Sequence, residues 1–147
     1  LTYEGEDGKK HRPAMLHRTI YGGIERFYGI LIENYAGKFP LWLAPTQIRL
    51  LSLTDRNNKF VEKLQEEFRE AGLRVETDLR SESMSKKVRD AQVSLIPLII
   101  TIGDKEQKAN TLAIRNPNGK VKFGVKVNKF IEEIKENIEN RTPTIVF

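Results

Sequence analysis

The feature that most constrains the fold of this chain is a nearly continuous apolar run at residues 95–102, LIPLIITI. The run has the length of a β-strand, and it falls well short of the 18 or more apolar residues of a membrane span. A strand that is apolar at almost every position is typical of a sheet whose two faces are both covered. The run therefore predicts a buried strand in an α/β protein.

Strand and helix patterns alternate on either side of this run. Strands are predicted at residues 47–53, 73–77, 95–102, 111–115 and 120–126, the last two joined by the turn sequence NPNG. Apolar stripes predict helices after a cap at Thr54, after a cap at Ser83 or Ser85, and from Val127 onward, and Gly103 with Asp104 is expected to form a turn. The order β-α-β-α-β-β-β-α predicts an α/β fold with a mixed, mostly parallel five-stranded sheet flanked by helices.

The first 41 residues have a different organisation. Residues 1–12 are polar and predict a hairpin or a frayed turn. Residues 13–19 predict a short strand with Met15 and Leu16 as its apolar core, and apolar residues at helical spacing predict a helix over residues 24–35. Gly37 is a plausible helix stop and Pro40 a breaker, so residues 36–45 are predicted to be a linker. These patterns place a boundary near residue 41 and divide the chain into 1–41 and 42–147.

Composition limits the classes of site that the chain can carry. Hydrophobic residues make up 39% and charged residues 31%, as in a soluble globular protein, and the absence of cysteine excludes disulfides and cysteine-ligated zinc. The net charge of +5 is concentrated in two segments, 80–89 with four basic residues and one acid, and 115–126 with four basic residues and no acid. Such clusters are expected of phosphate-binding surfaces, but charge alone leaves an ordinary solvated face open as the alternative.

Three short motifs hold chemically capable residues. Glu106 follows the buried strand in PLIITIGDKE, where ligands of open α/β sheets tend to bind, and its carboxylate could accept from a base amino group. Gly22 and Gly23 lead into a predicted helix with Arg26 in its first turn, a pattern that suits anions but is weak on its own. His17 would need two or three partners to bind zinc, and the chain offers only His11 and carboxylates. No self-contained catalytic arrangement stands out.

The order and spacing of several longer motifs resemble the threonyl-tRNA synthetases, a class II aminoacyl-tRNA synthetase family. GGIERF (22–27) is similar to class II motif 3, and KFPLWLAP (38–45) is similar to the linker into the anticodon-binding domain. DLRSE, KKVRDAQ, IPLIITIGDKE and LAIRNPNGK follow in the family's order. The resemblance covers almost the whole chain. It implies that residues 1–41 are a strand–helix remnant of the catalytic domain and that residues 42–147 have the class II anticodon-binding fold.

The resemblance also implies roles for individual residues. Arg26 matches the motif 3 arginine that contacts ATP, and His17 matches the third ligand of a zinc ion whose other ligands lie upstream. Arg89, Glu106 and Arg115 match residues that read anticodon bases. Ser81 stands where bacterial relatives commonly carry Asn, which puts that base contact in doubt. Gly23 stands where some relatives carry Ser near the ATP, so a side-chain contact there is lost.

These matches lead to a set of expectations for the parent protein. We expect it to be a cytoplasmic, ATP-dependent threonine–tRNA ligase that uses magnesium and zinc and is homodimeric through its catalytic domain. The start at Leu1, with no leader-like segment after it, is interpreted as the sign of an excised piece. This chain is expected to bind the anticodon stem-loop of threonine tRNA, to hold no cofactor, to lack ligase activity alone, to avoid membranes and to be monomeric.

Three alternatives stay open at this point. The chain could come from a stand-alone tRNA-binding paralogue without catalysis, although the presence of Arg26 and His17 argues against it. It could be an unrelated doubly wound domain for a small phosphate ligand, although a glycine-rich loop is missing after its first strand. It could also be a protein–protein module in which the basic segments are incidental.

Overall fold

A computed structural model of the chain describes residues 1–144 and divides it into two compact units, Leu1–Leu31 and Ile32–Phe147. The first unit begins with a small antiparallel hairpin of β1 (Tyr3–Glu4) and β2 (Lys10–His11), which confirms the turn predicted there. Helix α1 covers Ile24–Tyr35, as the apolar spacing predicts, and the boundary between the units falls within it. None of the residues of α1 is buried in this chain.

The strand predicted at residues 13–19 is not formed. In place of the expected strand–helix remnant, the structure has a hairpin whose two strands have two residues each, followed by a helix. Residues 12–19 have no regular structure, and Leu16, a predicted core residue, is 96% exposed. The other predicted core residue, Met15, is also exposed. An isolated strand leaves its backbone N–H and C=O groups unpaired, and in the described part of the first unit β1 and β2 pair only with each other. Apolar character alone was therefore not enough to form this strand.

The second unit contains one five-stranded sheet with helices between its strands. Its strands are β3 (Ile48–Ser52), β4 (Val75–Asp78), β5 (Leu98–Ile102), β6 (Thr111–Arg115) and β7 (Val121–Lys126). Its helices are α2 (Asn58–Glu70), α3 (Met84–Val93), α4 (Asp104–Ala109) and α5 (Val127–Glu139), and a short 3-10 turn at Asp55–Asn57 precedes α2. Ser83 is the cap of α3, its side chain accepting from the backbone N–H of Lys86.

The strands are arranged in the order β4-β3-β5-β6-β7, and the sheet is mixed as predicted. The pairs β3–β4 and β3–β5 are parallel, and the pairs β5–β6 and β6–β7 are antiparallel. Four strands therefore run in one direction and β6 runs in the opposite direction. Two of the four strand pairings are parallel and two are antiparallel. The hairpin predicted around NPNG is formed by β6 and β7.

Both faces of the sheet are covered over its centre. Alternate residues of β3, β5 and β6 pack with α2 and α5 in the larger core, where Phe68 and Phe130 stack with ring centroids 5.5 Å apart. The intervening residues Leu51 and Ile99 pack with Ala91 of α3 in a smaller core. Of the apolar run at 95–102, residues Leu98–Ile102 form the strand, β5. This strand is buried from both sides, which is why it is almost entirely apolar, whereas Leu95 precedes it and is 43% exposed.

The predicted linker, residues 36–45, is part of the second unit. Leu41 is 2% exposed and belongs to its larger core. The buried Gln47 donates from Nε2 to the carbonyl of Leu41 at 2.8 Å and accepts the backbone N–H of Arg74 at 2.9 Å. Arg74 also donates from Nε to the carbonyl of Ala44 at 2.9 Å. The predicted division between residues 41 and 42 separates the segment that resembles a catalytic domain from the segment that resembles an anticodon-binding domain. This division stays a prediction.

Within residues 1–144, no helix has the length and apolar character needed to cross a bilayer.

Candidate nucleic-acid interface

One face of the sheet carries Arg115 beside a surface of small side chains. Residues that lie directly opposite each other in neighbouring strands share a face of the sheet. Arg115 lies opposite Ile99 of β5 and Val121 of β7, and Ala113 lies opposite Thr101. Because Ile99 packs with α3, this is the face on which α3 lies, and we call it the α3 face. The larger core, with α2 and α5, lies behind it.

Arg115 ends β6 and is held by the turn that follows. Its Nη1 donates to the carbonyl of Gly119 at 2.9 Å, so the guanidinium closes the NPNG turn from within the hairpin. The turn itself is closed by the backbone N–H of Gly119, which donates to the carbonyl of Asn116 at 3.0 Å. A half-buried guanidinium with one donor fixed keeps its remaining N–H groups available in a restricted orientation. Such an arrangement suits recognition of a planar acceptor edge.

Glu106 lies at the carboxyl edge of the sheet, as the sequence predicts. The residue expected in a turn instead occupies the first turn of helix α4, and its Oε2 accepts the backbone N–H of Gly103 at 3.0 Å. This contact satisfies one of the unpaired N–H groups at the start of the helix and fixes the carboxylate. The other oxygen, Oε1, makes no hydrogen bond to the described part of the chain, so it can accept from a ligand.

A buried amide joins α4 to the end of β3. Asn57 is 0% exposed and donates from Nδ2 to Asp104 Oδ1 at 3.0 Å and to Gln107 Oε1 at 2.8 Å. Its Oδ1 accepts from Thr54 Oγ1 at 2.8 Å and from the backbone N–H of Thr54 at 3.3 Å. Asn57 therefore uses both donors and both acceptor positions of its amide. Since α4 has no buried residue of its own, this amide is a principal anchor of the helix that carries Glu106.

A second buried polar side chain fixes the loop that contains Ser81. Lys87 is 2% exposed, and its Nζ donates to the carbonyl of Ser52 at 2.9 Å and, more weakly, to the carbonyl of Asp78 at 3.4 Å. The ammonium thus joins α3 to the carboxyl ends of β3 and β4. Ser81 is exposed beside it, in the wall of a cavity of about 380 Å³ formed by the loops after these two strands.

The basic segment 80–89 is largely neutralised by partners that the sequence does not reveal. Arg80 pairs with Asp78 at 2.6 Å and with Asp90 at 2.8 Å, and Lys86 pairs with Glu82 at 2.6 Å. The Arg80 guanidinium holds the pKa of the Asp78 carboxyl below its usual value, against the opposing effect of burial. Two basic residues of this segment make no ion pair with the described residues: the buried Lys87 and Arg89, which is exposed on α3.

The basic residues of segment 115–126 are differently placed. Lys120 and Lys126 are exposed and make no ion pair within residues 1–144, and Arg115 donates to a backbone carbonyl. Of the two basic segments, 80–89 therefore displays mainly the charge of Arg89, whereas 115–126 displays its charge on the β6–β7 hairpin. This distribution is what a polyanion-binding surface requires.

Arg26 and His17 belong to the first unit. Arg26 is exposed on α1, and His17 is exposed in the irregular segment before it. In the described residues no group of three or more His, Cys, Asp or Glu side chains is arranged to hold a metal ion. His17 therefore lacks the partners that a zinc site needs, and the residues present do not fit a bound zinc.

The predicted base-reading residues are spread along the sheet and do not form one compact pocket. Arg115 is level with Ile99 near the beginning of β5, and Glu106 follows the end of that strand. At about 3.3 Å per residue, the two positions are separated by on the order of 13 Å along the strand direction. Asn57 and Lys87 were missed by the sequence analysis. Only the GDKE pattern, with Gly103 followed three residues later by Glu106, could have indicated the helix start that Asn57 supports.

Comparison with known proteins identifies where this arrangement recurs. The family described as the anticodon binding domain matches residues 47–137. A threonine–tRNA ligase from Desulfatibacillum aliphaticivorans is 54% identical over 99% of this chain and 23% of its own length. The threonine–tRNA ligase from Aquifex aeolicus is 45% identical over 96% of this chain and 22% of its own length. The chain thus spans less than a quarter of these curated relatives.

Solved structures show the same fold. The RNA binding domain of threonyl-tRNA synthetase from Cryptosporidium parvum Iowa II aligns with a TM-score of 0.77 and 24% identity, covering 92% of this chain and 35% of that one. Prolyl-tRNA synthetase from Cryptosporidium parvum aligns with a TM-score of 0.67 and 18% identity, covering 95% of this chain and 30% of that one. At these identities the likeness establishes the architecture of the chain.

Proposed function

The chain belongs to the anticodon-binding domain family, and on that premise we propose that it is the C-terminal part of a threonyl-tRNA synthetase and binds the anticodon loop of threonine tRNA. The observation that carries the proposal is the placement of two anchored side chains, Arg115 on the α3 face level with the beginning of β5 and Glu106 just beyond the end of that strand. The choice of threonine tRNA follows from the curated relatives, which are threonine–tRNA ligases about half identical to this chain over nearly its whole length.

The two anchored side chains have complementary chemistry for reading unpaired bases. The guanidinium of Arg115 can donate two parallel hydrogen bonds to O6 and N7 of a guanine, and Glu106 Oε1 can accept from a base amino or imino group. Unpaired bases expose these edges, which a duplex would hide. Because both side chains are already fixed by the protein, little conformational entropy is lost when a base binds. Arg89 supplies charge for the phosphate backbone, and Ser81, with a shorter reach than Asn, is a weaker candidate for a base contact.

The extent of the surface favours a single-stranded nucleic acid over a small phosphate ligand. A small ligand would have to contact residues separated by on the order of 13 Å along a strand, whereas successive nucleotides of a loop can occupy such a length. The positive charge also extends along the exposed β6–β7 hairpin, where Lys120 and Lys126 are both exposed. This distribution matches the electrostatic part of RNA binding, which follows the sugar–phosphate backbone.

For the parent protein we propose the activity of its curated relatives, the ligation of threonine to its tRNA with ATP in the cytoplasm. ATP with magnesium, and zinc, would be bound there by the catalytic domain, to which Arg26 and His17 would contribute and through which the parent would dimerise. This chain would lack ligase activity and would hold neither cofactor alone. A stand-alone tRNA-binding paralogue is the competing proposal, and an upstream reading frame without a catalytic core would support it.

Binding to short RNA hairpins tests the proposal for this chain. Fluorescence anisotropy should show that the chain binds an anticodon stem-loop of threonine tRNA more tightly than stem-loops with single anticodon base changes. Arg115→Ala should weaken binding by about 1–3 kcal/mol and reduce this discrimination, because the base loses its bidentate donor. Arg115→Lys, which keeps the charge without the planar donor pair, should recover little of the discrimination.

A matched control is available on the other side of the sheet. Arg69 is exposed on α2, which packs against the larger core, and Arg69→Ala should leave the affinity for RNA nearly unchanged. The thermal unfolding of Arg115→Ala must be measured as well, because Arg115 also holds the NPNG turn. Equal binding of all stem-loops by the wild-type chain would contradict the proposed function.

A further inference from the structure

Phe123 is a large aromatic side chain left exposed in the middle of a strand. It lies in β7, between Lys122 and Gly124, and is 72% exposed. It makes no ring–ring contact with the residues that the structure describes. A single exposed apolar residue is ordinary on a protein surface, so exposure alone indicates nothing. The position of Phe123 in the sheet is what gives it significance.

The register of the hairpin assigns Phe123 to the α3 face. Ile114 lies opposite Lys122 and Leu112 lies opposite Val125, with a bulge between these two pairs. Ile114 and Leu112 point into the larger core, so Lys122 and Val125 share that face. Phe123 and Gly124 together oppose Ala113, and they therefore lie on the other face, which is the face of Arg115.

Two neighbouring rows of residues cross this face from β5 to β7. One row consists of Ile99, Arg115 and Val121, and the next consists of Thr101, Ala113 and Phe123. The second row is closer to the carboxyl end of β5, where α4 begins and carries Glu106 three residues after its cap, Gly103. Phe123 is thus level with the stretch of sheet that separates Arg115 from Glu106.

The surroundings of the Phe123 ring leave room for a flat partner. Ala113 and Thr101, the next residues across the sheet, have short side chains. Gly124, in the bulge, has a positive φ of 70° and carries no side chain, and a Cβ placed there would meet nothing within 4 Å. A β-bulge re-aims the side chain beside it, and bulges are common next to binding sites. The ring therefore stands beside an open, shallow surface.

We propose that Phe123 is a stacking platform for an unpaired base of the anticodon loop, placed between the base contacts of Arg115 and Glu106. The inference rests on the proposed function and adds a residue to it. Single-stranded RNA is bound by combining positive charge along the backbone with aromatic rings on which bases stack. Arg115, Lys120 and Lys126 supply the charge of this hairpin, and Phe123 supplies the ring.

The test compares Phe123 variants for binding to the stem-loop of threonine tRNA. Phe123→Ala should weaken binding by about 5- to 150-fold, the loss expected for one base–aromatic stack. Phe123→Trp should keep most of the affinity, whereas Phe123→Leu, with apolar area but no aromatic ring, should lose most of it. Because Phe123 is exposed, these variants should unfold at nearly the wild-type temperature.

Val93 provides the matched control. It is 76% exposed on α3, so Val93→Ala removes a comparable exposed apolar side chain outside the proposed stack and should leave binding unchanged. A direct readout comes from 2-aminopurine placed at each anticodon-loop position in turn. At one position its fluorescence should be quenched when the wild-type chain binds and should not be quenched by Phe123→Ala.

The outcomes separate this inference from the function on which it rests. If the wild-type chain discriminates between stem-loops but Phe123→Ala binds with equal affinity and equal quenching, the stacking role is wrong and the proposed function stands. If the wild-type chain shows no preference for the stem-loop, both proposals fail. If Phe123→Leu binds as well as the wild type, the side chain contributes apolar area only, and a stacking platform is ruled out.

Discussion

Replacing Asn57 tests how the second unit holds the helix that carries Glu106. Asn57→Ala removes four hydrogen bonds, of which the one from the backbone N–H of Thr54, at 3.3 Å, is the weakest. A hydrogen bond contributes a net 0.5–1.5 kcal/mol when the groups left behind can reach water. Thr54, Asp104 and Gln107 are all exposed, so water can replace the lost partner. Three well-placed bonds then amount to about 2–4 kcal/mol.

Thermal unfolding followed by circular dichroism measures this loss. For a chain of this size we expect the Tm to fall by roughly 5–15 °C. Binding to the anticodon stem-loop should fall as well, because α4 has no buried residue that would keep Glu106 in place. Asn128→Ala, at an exposed position of α5, is the matched control and should change neither quantity.

A second variant distinguishes the hydrogen bonds from the volume of the side chain. Asn57→Asp keeps the shape but replaces two donors with a carboxylate about 3 Å from Asp104. The repulsion raises the pKa of the introduced carboxyl, so this variant should be at least as unstable as Asn57→Ala at neutral pH and should recover as the pH falls. If Asn57→Ala kept the wild-type Tm and affinity, the amide would not anchor α4 and the reasoning would be refuted.

Two further predictions concern the carboxyl edge of the sheet. In Gly103→Ala the new Cβ would lie 3.1 Å from Glu106 Oε2, so it should displace the carboxylate and weaken stem-loop binding several-fold, with unfolding curves as the check on the fold. Arg80→Met should remove a pH-dependent contribution to the free energy of unfolding. Because Arg80 lowers the pKa of Asp78 in the folded state, this contribution is complete at pH values above 3.8, the pKa of Asp78 in the unfolded chain. It is lost as the pH falls through the lower pKa of the folded state. The stability difference between wild type and Arg80→Met, measured by urea titration, should therefore shrink below pH 3.8, and a constant difference would show that the ion pair is not its source.

Local patterns were enough to predict most elements of the second unit. The buried strand at 95–102, the hairpin around NPNG and the helix after Thr54 each depend on periodicity or turn chemistry that acts over a few residues. The residue assignments at the candidate site came from resemblance to a family. The periodicity of the sequence could not have provided them, because the residues are separated along the chain and their placement depends on how the strands of the sheet are paired.

The errors occurred where a local pattern needed a distant partner. Residues 13–19 have strand-like composition, but a strand requires a neighbour with which to pair its backbone. Helix α4 was predicted as a turn because it has only six residues and no apolar stripe, so periodicity could not reveal it. It is fixed by Asn57, which precedes its contact residue Asp104 by 47 residues.

The sequence by itself determined the five strands of the sheet, the longer helices and the β6–β7 hairpin, because hydrophobic periodicity and turn residues act locally. The tertiary structure decided which charges and which side chains are available. It pairs Arg80 and Lys86 with acids, buries Lys87 against two carbonyls, and leaves Arg115 and Phe123 on one open face. A charge is displayed only if no opposite partner reaches it, and a ring is exposed only if no element covers its face. Both conditions depend on contacts between residues that are remote in the chain.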